Sequence, residues 1–208
     1  MRRPLQALRT RAATAEDAVA IAEIYNEGIA DRVATFETEP RTPAQIAEWF
    51  EVGHLVMIAE ADETGPVAFT VAFPYSTRPC YAGIGEFSVY VARMHRGRGV
   101  GRVVLSALVE AARLKGLHKL VSRVFPENAA SRALLHRLGF AEIGIHRRHG
   151  QLDGVWRDCV IVERPLDRAP GARLPLPLTH DRMSQLCWLA PVCGVSFGQS
   201  RTLLWLRV

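Results

Sequence analysis

Residues Arg96–Gly101 combine three glycines with two arginines in six consecutive positions, a composition suited to binding an anion. Glycine has no Cβ, so the main-chain N–H groups of such a turn can approach a ligand closely. The turn follows a strand-like segment, Glu86–Val91, and precedes a helix-like segment that begins at Val100. The first N–H groups of a helix lack partners and its dipole is positive there, so this turn is predicted to bind an anion.

Glu86 is a candidate proton acceptor at the start of the strand before the turn. Period-two alternation places it on the same strand face as Ser88 and Tyr90, with apolar residues on the opposite face. A carboxylate on a face that lines a ligand cleft can take a proton from a bound nucleophile. The alternative is a solvated carboxylate at a strand end.

The elements that must position these residues follow the order β-α-α-β-β-β-α-β-α-β-β. Capping-box and apolar spacing predict the helices, and short apolar runs between turn residues predict the strands. The pattern indicates a mixed α/β (α+β) domain without an internal repeat, with segments 74–85 and 147–154 as loops. Predicted strands are 11–13, 55–60, 67–73, 86–92, 119–125, 141–146 and 155–163, and predicted helices are 15–30, 42–52, 100–115 and 129–138.

Composition limits the classes of function. Apolar residues make up 49% of the 208 residues, and the net charge of +5 is concentrated towards the two ends of the chain. Nucleic-acid binding would require a clustered basic face with interleaved aromatic residues, so no nucleic-acid partner is expected. No apolar run is long enough to span a membrane, and the N-terminal segment lacks the apolar core of a signal peptide.

Domain boundaries and compartment follow from the same survey. Residues 1–10 are predicted to be a leader, residues 11–166 the domain, and residues 167–208 a proline-rich and then apolar extension, poorly ordered or covering apolar surface. The four cysteines lack metal-ligand spacing, which favours reduced thiols, a cytoplasmic location and no metal cofactor.

Two further segments make the glycine turn specific. The first is Asn128-Ala129-Ala130-Ser131, which comes after the predicted helix 100–115 and strand 119–125. The second is Leu138-Gly139-Phe140, which ends the next predicted helix. Together these segments resemble the GNAT acetyltransferase superfamily, whose acetyl-CoA motif is R/Q-x-x-G-x-G/A and whose next helix begins with Asn and ends in L-G-F/Y. The resemblance implies the GNAT fold, a mixed central sheet with helices on both faces.

The rest of residues 10–166 is similar to the phosphinothricin N-acetyltransferase branch, which includes arsinothricin N-acetyltransferases. The similarity lies in segments such as Thr35-Phe36-Glu37, Phe125-Pro126-Glu127-Asn128 and Leu152-Asp153-Gly154-Val155-Trp156, and the loop Arg78-Pro79-Cys80-Tyr81 is closer to the arsinothricin-resistance members.

The resemblance implies acetyl-CoA as co-substrate, held along the strand edge and at the glycine turn. A main-chain amide at the strand end, that of Val91, would polarise the thioester carbonyl. Asn128 would contact the cofactor, cap the following helix, or do both. The implied cofactor-binding residues are Val89, Tyr90, Val91, Arg96, Gly97, Arg98, Gly99, Val100, Gly101, Asn128 and Ser131.

The resemblance also implies direct acetyl transfer to an amine, with Glu86 as the base that removes the ammonium proton. Many relatives carry Tyr or His as the general acid where this chain has Leu135. Here Tyr90 or water would protonate the departing thiolate, or a free thiolate would leave. A zwitterionic acceptor needs cationic and hydroxyl donors beside an apolar wall. The implied substrate-binding residues are Phe36, Arg78, Tyr81, Ser88 and Tyr90.

The expected activity is therefore N-acetylation of a small glutamate-like amino acid such as phosphinothricin, arsinothricin or methionine sulfoximine, which would detoxify it. One alternative is acetylation of a protein or peptide amine. Another is an acyl-CoA-binding module without turnover, suggested by the missing acid at Leu135. Homodimerisation is common in the family and is expected here.

Overall fold

The computed structural model describes residues 8–62 and 64–166. Residues 1–7, most of the predicted leader, and the predicted extension 167–208 lie outside the described residues. The longest described helix has 15 residues, and no helix of this part is long and apolar enough to cross a membrane. Strands are β1 Leu8–Ala12, β2 Leu55–Ala61, β3 Gly65–Pro74, β4 Ile84–Val91, β5 Lys119–Val124, β6 Ala141–Leu152 and β7 Val155–Pro165, and helices are α1 Ala18–Ala30, α2 Pro43–Glu51, α3 Val100–Leu114 and α4 Ala129–Arg137.

All seven described strands form one mixed sheet in the order β1-β2-β3-β4-β5-β7-β6. Every neighbouring pair is antiparallel except β4 and β5, which run parallel with α3 as their crossover. This element order confirms the predicted α/β fold class.

The two sheet faces carry separate cores, and the alternation within β4 decides which side chains enter each. Phe87 is buried in the cluster that α3 covers, together with Val104, Leu105 and Leu108. Tyr90 is buried in the cluster that α1 and α2 cover. The predicted period-two division of this strand is confirmed, because the residues of opposite parity pack on opposite faces.

Two boundary predictions are wrong. The first strand begins at Leu8 and ends at Ala12, where residues 11–13 were expected, because its pairing with β2 extends to Ala61. The predicted loop 147–154 is instead the continuation of β6 to Leu152, a two-residue turn, and β7 from Val155. The turn residues Asp153 and Gly154 both have positive φ, as a tight hairpin turn requires.

The C-terminal end of α1 is joined to the segment after β4 by one carboxylate. Asp31 accepts hydrogen bonds from Arg93 Nη2 at 2.6 Å and from Arg96 Nη1 at 2.5 Å. Burial raises the pKa of Asp31, but the hydrogen bonds from the two guanidinium groups outweigh it, so the pKa lies below its usual range. These contacts set the position of the glycine turn relative to the first helix.

Replacing Leu105 by Ala should lower the free energy of unfolding by about 2–5 kcal/mol, because the side chain is fully buried between α3 and the sheet and its loss leaves a cavity. Urea unfolding followed by circular dichroism measures the change. Leu114→Ala on the same helix is the matched control, since that side chain is 62% exposed and its loss should change stability by less than about 0.5 kcal/mol. Equal losses for both variants would contradict this packing.

Replacing Asp31 by Asn should lower stability by about 1 kcal/mol at pH 7, because three charge-assisted hydrogen bonds from two partly exposed guanidinium groups weaken. A carboxylate whose pKa is depressed by folding contributes fully above its unfolded pKa and loses the contribution as pH falls through the folded value. The difference between wild type and variant should therefore be constant above about pH 5 and shrink below the ordinary value of 3.8.

Urea titrations at pH 7, 5, 4 and 3 measure this difference between wild type and Asp31→Asn. Glu110→Gln is the control, since it removes one exposed ion pair with Arg113 on α3. The Asp31 assignment is contradicted if the variant matches wild type at pH 7 or if the difference persists undiminished at pH 3.

Candidate active site

The site is built where β4 and β5 separate. The two strands pair only over Ile84–Glu86 and Lys119–Val121. At the next position the Ser122 hydroxyl donates to the Phe87 carbonyl at 2.8 Å, so a side chain takes the place of a main-chain donor. From there β4 continues for four residues along β3 alone. A wedge-shaped opening therefore lies between two parallel strands, with Glu86 at its vertex.

The separation leaves one edge of β4 open to a ligand. The Phe87 carbonyl points towards β5, and backbone alternation directs the main-chain groups of Val89 and Val91 to the same side. The Val91 carbonyl accepts from Arg96 Nε at 2.8 Å, so Val91 offers only its N–H on this edge. An extended amide-containing ligand could pair here as an added strand.

The glycine turn closes the wide end of the opening. Gly97 and Gly99 have φ of 70° and 83°, the left-handed region that glycine adopts without strain. The N–H groups of residues 97–101 have no main-chain acceptor within the described part of the chain. Gly101 permits close packing of α3 on α4, since a Cβ there would lie 3.1 Å from Leu134 Cδ2. The turn therefore presents unpaired N–H groups of the kind that bind anions, and its role as an anion site stays a prediction.

The two arginines of the turn differ in their surroundings. Arg96 is held by Asp31 and by the Val91 carbonyl, so its guanidinium braces the turn. Arg98 is exposed and forms no ion pair with a described residue. The guanidinium of Arg98 is therefore available to add positive charge to a bound anion. The guanidinium of Arg96 is already bonded to Asp31 and Val91.

Asn128 caps α4 with one end of its side chain and tethers another loop with the other. Its Oδ1 accepts from the Ser131 N–H at 3.0 Å, which is the expected N-cap. Its Nδ2 donates to the Val33 carbonyl at 3.0 Å, in the loop that follows α1. The capping role is thus present in the structure, and Ser131 contributes through its main-chain N–H.

Glu86 is ion-paired with Arg123 of β5, a residue that the sequence analysis did not select. Arg123 Nη2 donates to Glu86 Oε1, and both side chains are about one-third exposed. The pair faces a cavity of about 250 Å³, whose lining includes no residue of α1 or α2. Its lining includes Tyr75, Tyr81, Ile84, Glu86, Lys119, Arg123, Ile143 and His146.

A signal for Arg123 was present in the sequence. It is the one cation in the predicted strand segment Leu120–Phe125, whose other residues apart from Ser122 are apolar. Charged residues inside such strands are rarely left without a partner. The register that brings this arginine to Glu86 could not be read from the segment itself.

Tyr90 is a core residue whose ring does not line the cavity. The ring stacks on Phe69 at 5.2 Å and lies so close to α1 that a Cβ on Gly28 would be 2.6 Å from it. Its hydroxyl neighbours those of Tyr25, Thr35 and Ser88. Burial raises the pKa of Tyr90 to about 12. The hydroxyl is therefore a poor proton donor to a thiolate.

The predicted substrate residues are divided between different places. Tyr81 lines the Glu86 cavity, whereas Arg78 lines a neighbouring cavity of about 250 Å³ at the N-terminal end of β4, which Tyr81 also borders. Phe36 packs edge-to-face on Phe125 at 4.9 Å. Ser88 is half-buried on β4, where its carbonyl accepts from the Thr70 hydroxyl. The structure brings Tyr81 to Glu86 and does not bring Arg78 there.

Leu135, which stands where many relatives carry an acid, is part of the hydrophobic core. It is 3% exposed and packs in the α3 cluster. The position therefore supplies no proton donor in this chain.

Comparison with known proteins finds relatives of similar sequence and fold. The phosphinothricin N-acetyltransferase of Streptomyces coelicolor is 31% identical over 165 residues, covering 76% of this chain and 96% of that protein. The L-methionine sulfoximine/L-methionine sulfone acetyltransferase of Pseudomonas aeruginosa is 34% identical over 168 residues, covering 78% and 96%. A crystal structure of a GNAT superfamily phosphinothricin acetyltransferase from Sinorhizobium meliloti in complex with AcCoA has a TM-score of 0.73 at 28% identity, covering 84% and 96%.

The profile of the Acetyltransferase (GNAT) family matches residues 21–140, which span α1 to the end of the α4 segment. That range contains the strand edge, the glycine turn and Glu86. The chain belongs to the GNAT family of acetyltransferases and is an N-acetyltransferase.

Proposed function

We propose that this enzyme transfers the acetyl group of acetyl-CoA to the α-amine of a small glutamate-like amino acid, with phosphinothricin, methionine sulfoximine and arsinothricin as candidate acceptors. The observation that carries the proposal is the Glu86 carboxylate at the vertex of the β4–β5 opening, facing a cavity of about 250 Å³. The names of the relatives from Streptomyces coelicolor and Pseudomonas aeruginosa support this acceptor class.

The residues that fit acetyl-CoA are those of the open edge and the glycine turn. Acetyl-CoA supplies the activated acetyl thioester. The N–H groups of residues 97–101 would hold its pyrophosphate, with Arg98 adding positive charge. The main-chain groups of Val89 and Val91 would pair with its pantetheine amides, and the Val91 N–H would stabilise charge on the carbonyl oxygen. Asn128, through its cap of α4, keeps Ser131 beside this surface.

Glu86 would act as the general base. An amino-acid ammonium has no lone pair, so it must lose a proton before it attacks. Glu86 Oε1 is occupied by Arg123, while Oε2 accepts no hydrogen bond from a described residue. That second oxygen is therefore the one available to the ammonium or to an intervening water.

Reprotonation of the departing thiolate would come from water. Tyr90 has a pKa of about 12, whereas an alkyl thiol has a pKa near 8.5, so proton transfer from Tyr90 would be uphill by about 5 kcal/mol. Leu135 cannot donate. A free thiolate near neutral pH needs no dedicated acid, which is consistent with this sequence.

Acceptor selection would depend on the groups around the Glu86 cavity. Tyr81 supplies a hydroxyl there, and Arg123 supplies the cation beside Glu86, whereas Lys119 is paired with Glu163. Phe36, which packs on Phe125, and Ser88, whose hydroxyl lies beside that of Tyr90, do not line this cavity and would contact an acceptor only if it extended beyond the cavity. Arg78 would reach an acceptor only after loop 75–83 changes conformation, because it lines the neighbouring cavity.

N-acetylation removes the ammonium charge that makes such compounds glutamate mimics, so resistance by detoxification would follow. We infer action in the cytoplasm, where thiols such as Cys80 and Cys159 remain free. We also infer a homodimer. The edge strand β6 exposes Ile143 and Ile145 by 54% and 52%, a surface that a second copy would cover.

Replacing Glu86 by Gln should lower kcat by at least about 100-fold, because the amide cannot accept the ammonium proton, while the Kd for acetyl-CoA stays unchanged. Thiol release from coenzyme A measures turnover, and calorimetry measures Kd. Glu110→Gln, an exposed glutamate on α3, is the matched control and should keep full activity. Wild-type turnover by Glu86→Gln at neutral pH would exclude Glu86 as the base.

A panel of acceptors should separate the possible activities of the wild-type enzyme. Phosphinothricin, methionine sulfoximine and arsinothricin should each release thiol from acetyl-CoA, while glutamate, a short peptide and buffer serve as comparison arms. Thiol release with the peptide alone would contradict the small-acceptor proposal in favour of a protein acceptor. Acetyl-CoA binding without turnover on any arm would instead indicate a binding module.

A further inference from the structure

The β6–β7 hairpin contains a bulge beside the proposed base. His146 pairs with Cys159, and the next paired residue on β6 is Gly150, which pairs with Arg157. Residues 147–149 of β6 therefore lie opposite Asp158 alone. The Asp158 carboxylate holds the bulge by accepting from the Arg148 N–H at 2.7 Å, and Arg148 has a φ of 48°.

The bulge moves His149 to the face of the sheet that carries Glu86. In a regular strand, residues three apart point to opposite faces. Here the rings of His146 and His149 lie 4.7 Å apart on one face, and His146 lines the Glu86 cavity. Gly150 then resumes the ladder beneath Phe36, whose ring would lie 2.9 Å from a Cβ at that position.

His149 contacts the arginine that pairs with Glu86. Its Nε2 is 3.4 Å from Arg123 Nη1, a long hydrogen bond, while Arg123 Nη2 binds Glu86. A guanidinium can only donate, so this contact is a hydrogen bond when Nε2 accepts, in the neutral ring with its proton on Nδ1. Burial, followed by the charges of Arg123 and His146, lowers the pKa of His149 and favours this neutral form.

We propose that His149 is a positioning residue for acetyl transfer, which holds the Arg123 guanidinium so that Arg123 binds one oxygen of Glu86 and leaves the other for the acceptor amine. The inference rests on the proposed role of Glu86 as base. Without the His149 acceptor, Arg123 is free to rotate into a two-bond pairing with the carboxylate, the geometry that guanidinium and carboxylate groups favour. Both oxygens of Glu86 would then be occupied.

Protonation of His149 has the same consequence as its removal. The charged ring loses its acceptor and adds a cation beside Arg123. The charged and titratable groups that face it are Glu86 from β4, Arg123 from β5 and His146 from β6, with Asp158 of β7 at the base of the bulge. The acid side of the kcat profile should therefore include the titration of His149.

The test compares His149→Leu with His149→Gln in thiol-release assays with acetyl-CoA and the best acceptor of the panel. His149→Leu should lower kcat about 10- to 100-fold, as a displacement of about 1 Å at a reacting group does, without changing the KM for acetyl-CoA. His149→Gln retains an acceptor oxygen and should keep most of the activity, with a flatter acid limb. His136→Gln on the exposed face of α4 is the matched control and should behave as wild type.

A double-mutant cycle with Glu86→Gln separates this inference from the proposed function. If His149 acts through Arg123 on Glu86, adding His149→Leu to Glu86→Gln should cause no further loss. Additive losses, equal losses in the Leu and Gln variants, or full activity in His149→Leu would each overturn the positioning role while Glu86 remains the base. Full activity in Glu86→Gln would instead overturn the proposed function, and circular dichroism of each variant verifies that the fold is intact.

Discussion

The separation of β4 and β5 after three paired positions is the constraint on which the site depends. A continuous parallel ladder would consume the N–H and C=O groups of the β4 edge and leave no place for an extended ligand. The Ser122 hydroxyl donates a hydrogen bond to the Phe87 carbonyl at the point of separation. The strands therefore separate without leaving that acceptor unpaired. Glu86 lies in the last pair before the opening, so its carboxylate lies where the two strands part.

Several local interactions keep this opening in register with the glycine turn. Asp31 joins the end of α1 to Arg93 and Arg96, and Arg96 in turn holds the Val91 carbonyl. One carboxylate thus connects the first helix, the glycine turn and the end of the open strand edge. Arg96, the arginine of the glycine turn that Asp31 holds, therefore has a structural part in this chain.

Arg123 of β5 forms the ion pair with Glu86, and His149 of β6 contacts Arg123. Arg123 reaches Glu86 because the short parallel ladder sets the two strands in register. His149 reaches Arg123 because a bulge in β6 places its side chain on the same sheet face as that of His146, where regular strand alternation would place it on the opposite face. The proposed base, its ion-pair partner and the positioning histidine thus lie on three strands that the chain visits 37 and 26 residues apart.

Local pattern alone was sufficient for the element order, the division of β4 between two cores, the glycine turn and the Asn128 cap, because each depends on neighbours within a few residues. The tight turn at Asp153 and Gly154 also had a local signal, but the polar segment before it lacks apolar alternation and was interpreted as a loop. Tertiary structure alone decided which charges meet. The Arg123 pairing, the separation of Arg78 from Glu86 and the inward turn of His149 depend on strand register and a bulge, and neither is encoded by residue type at one position.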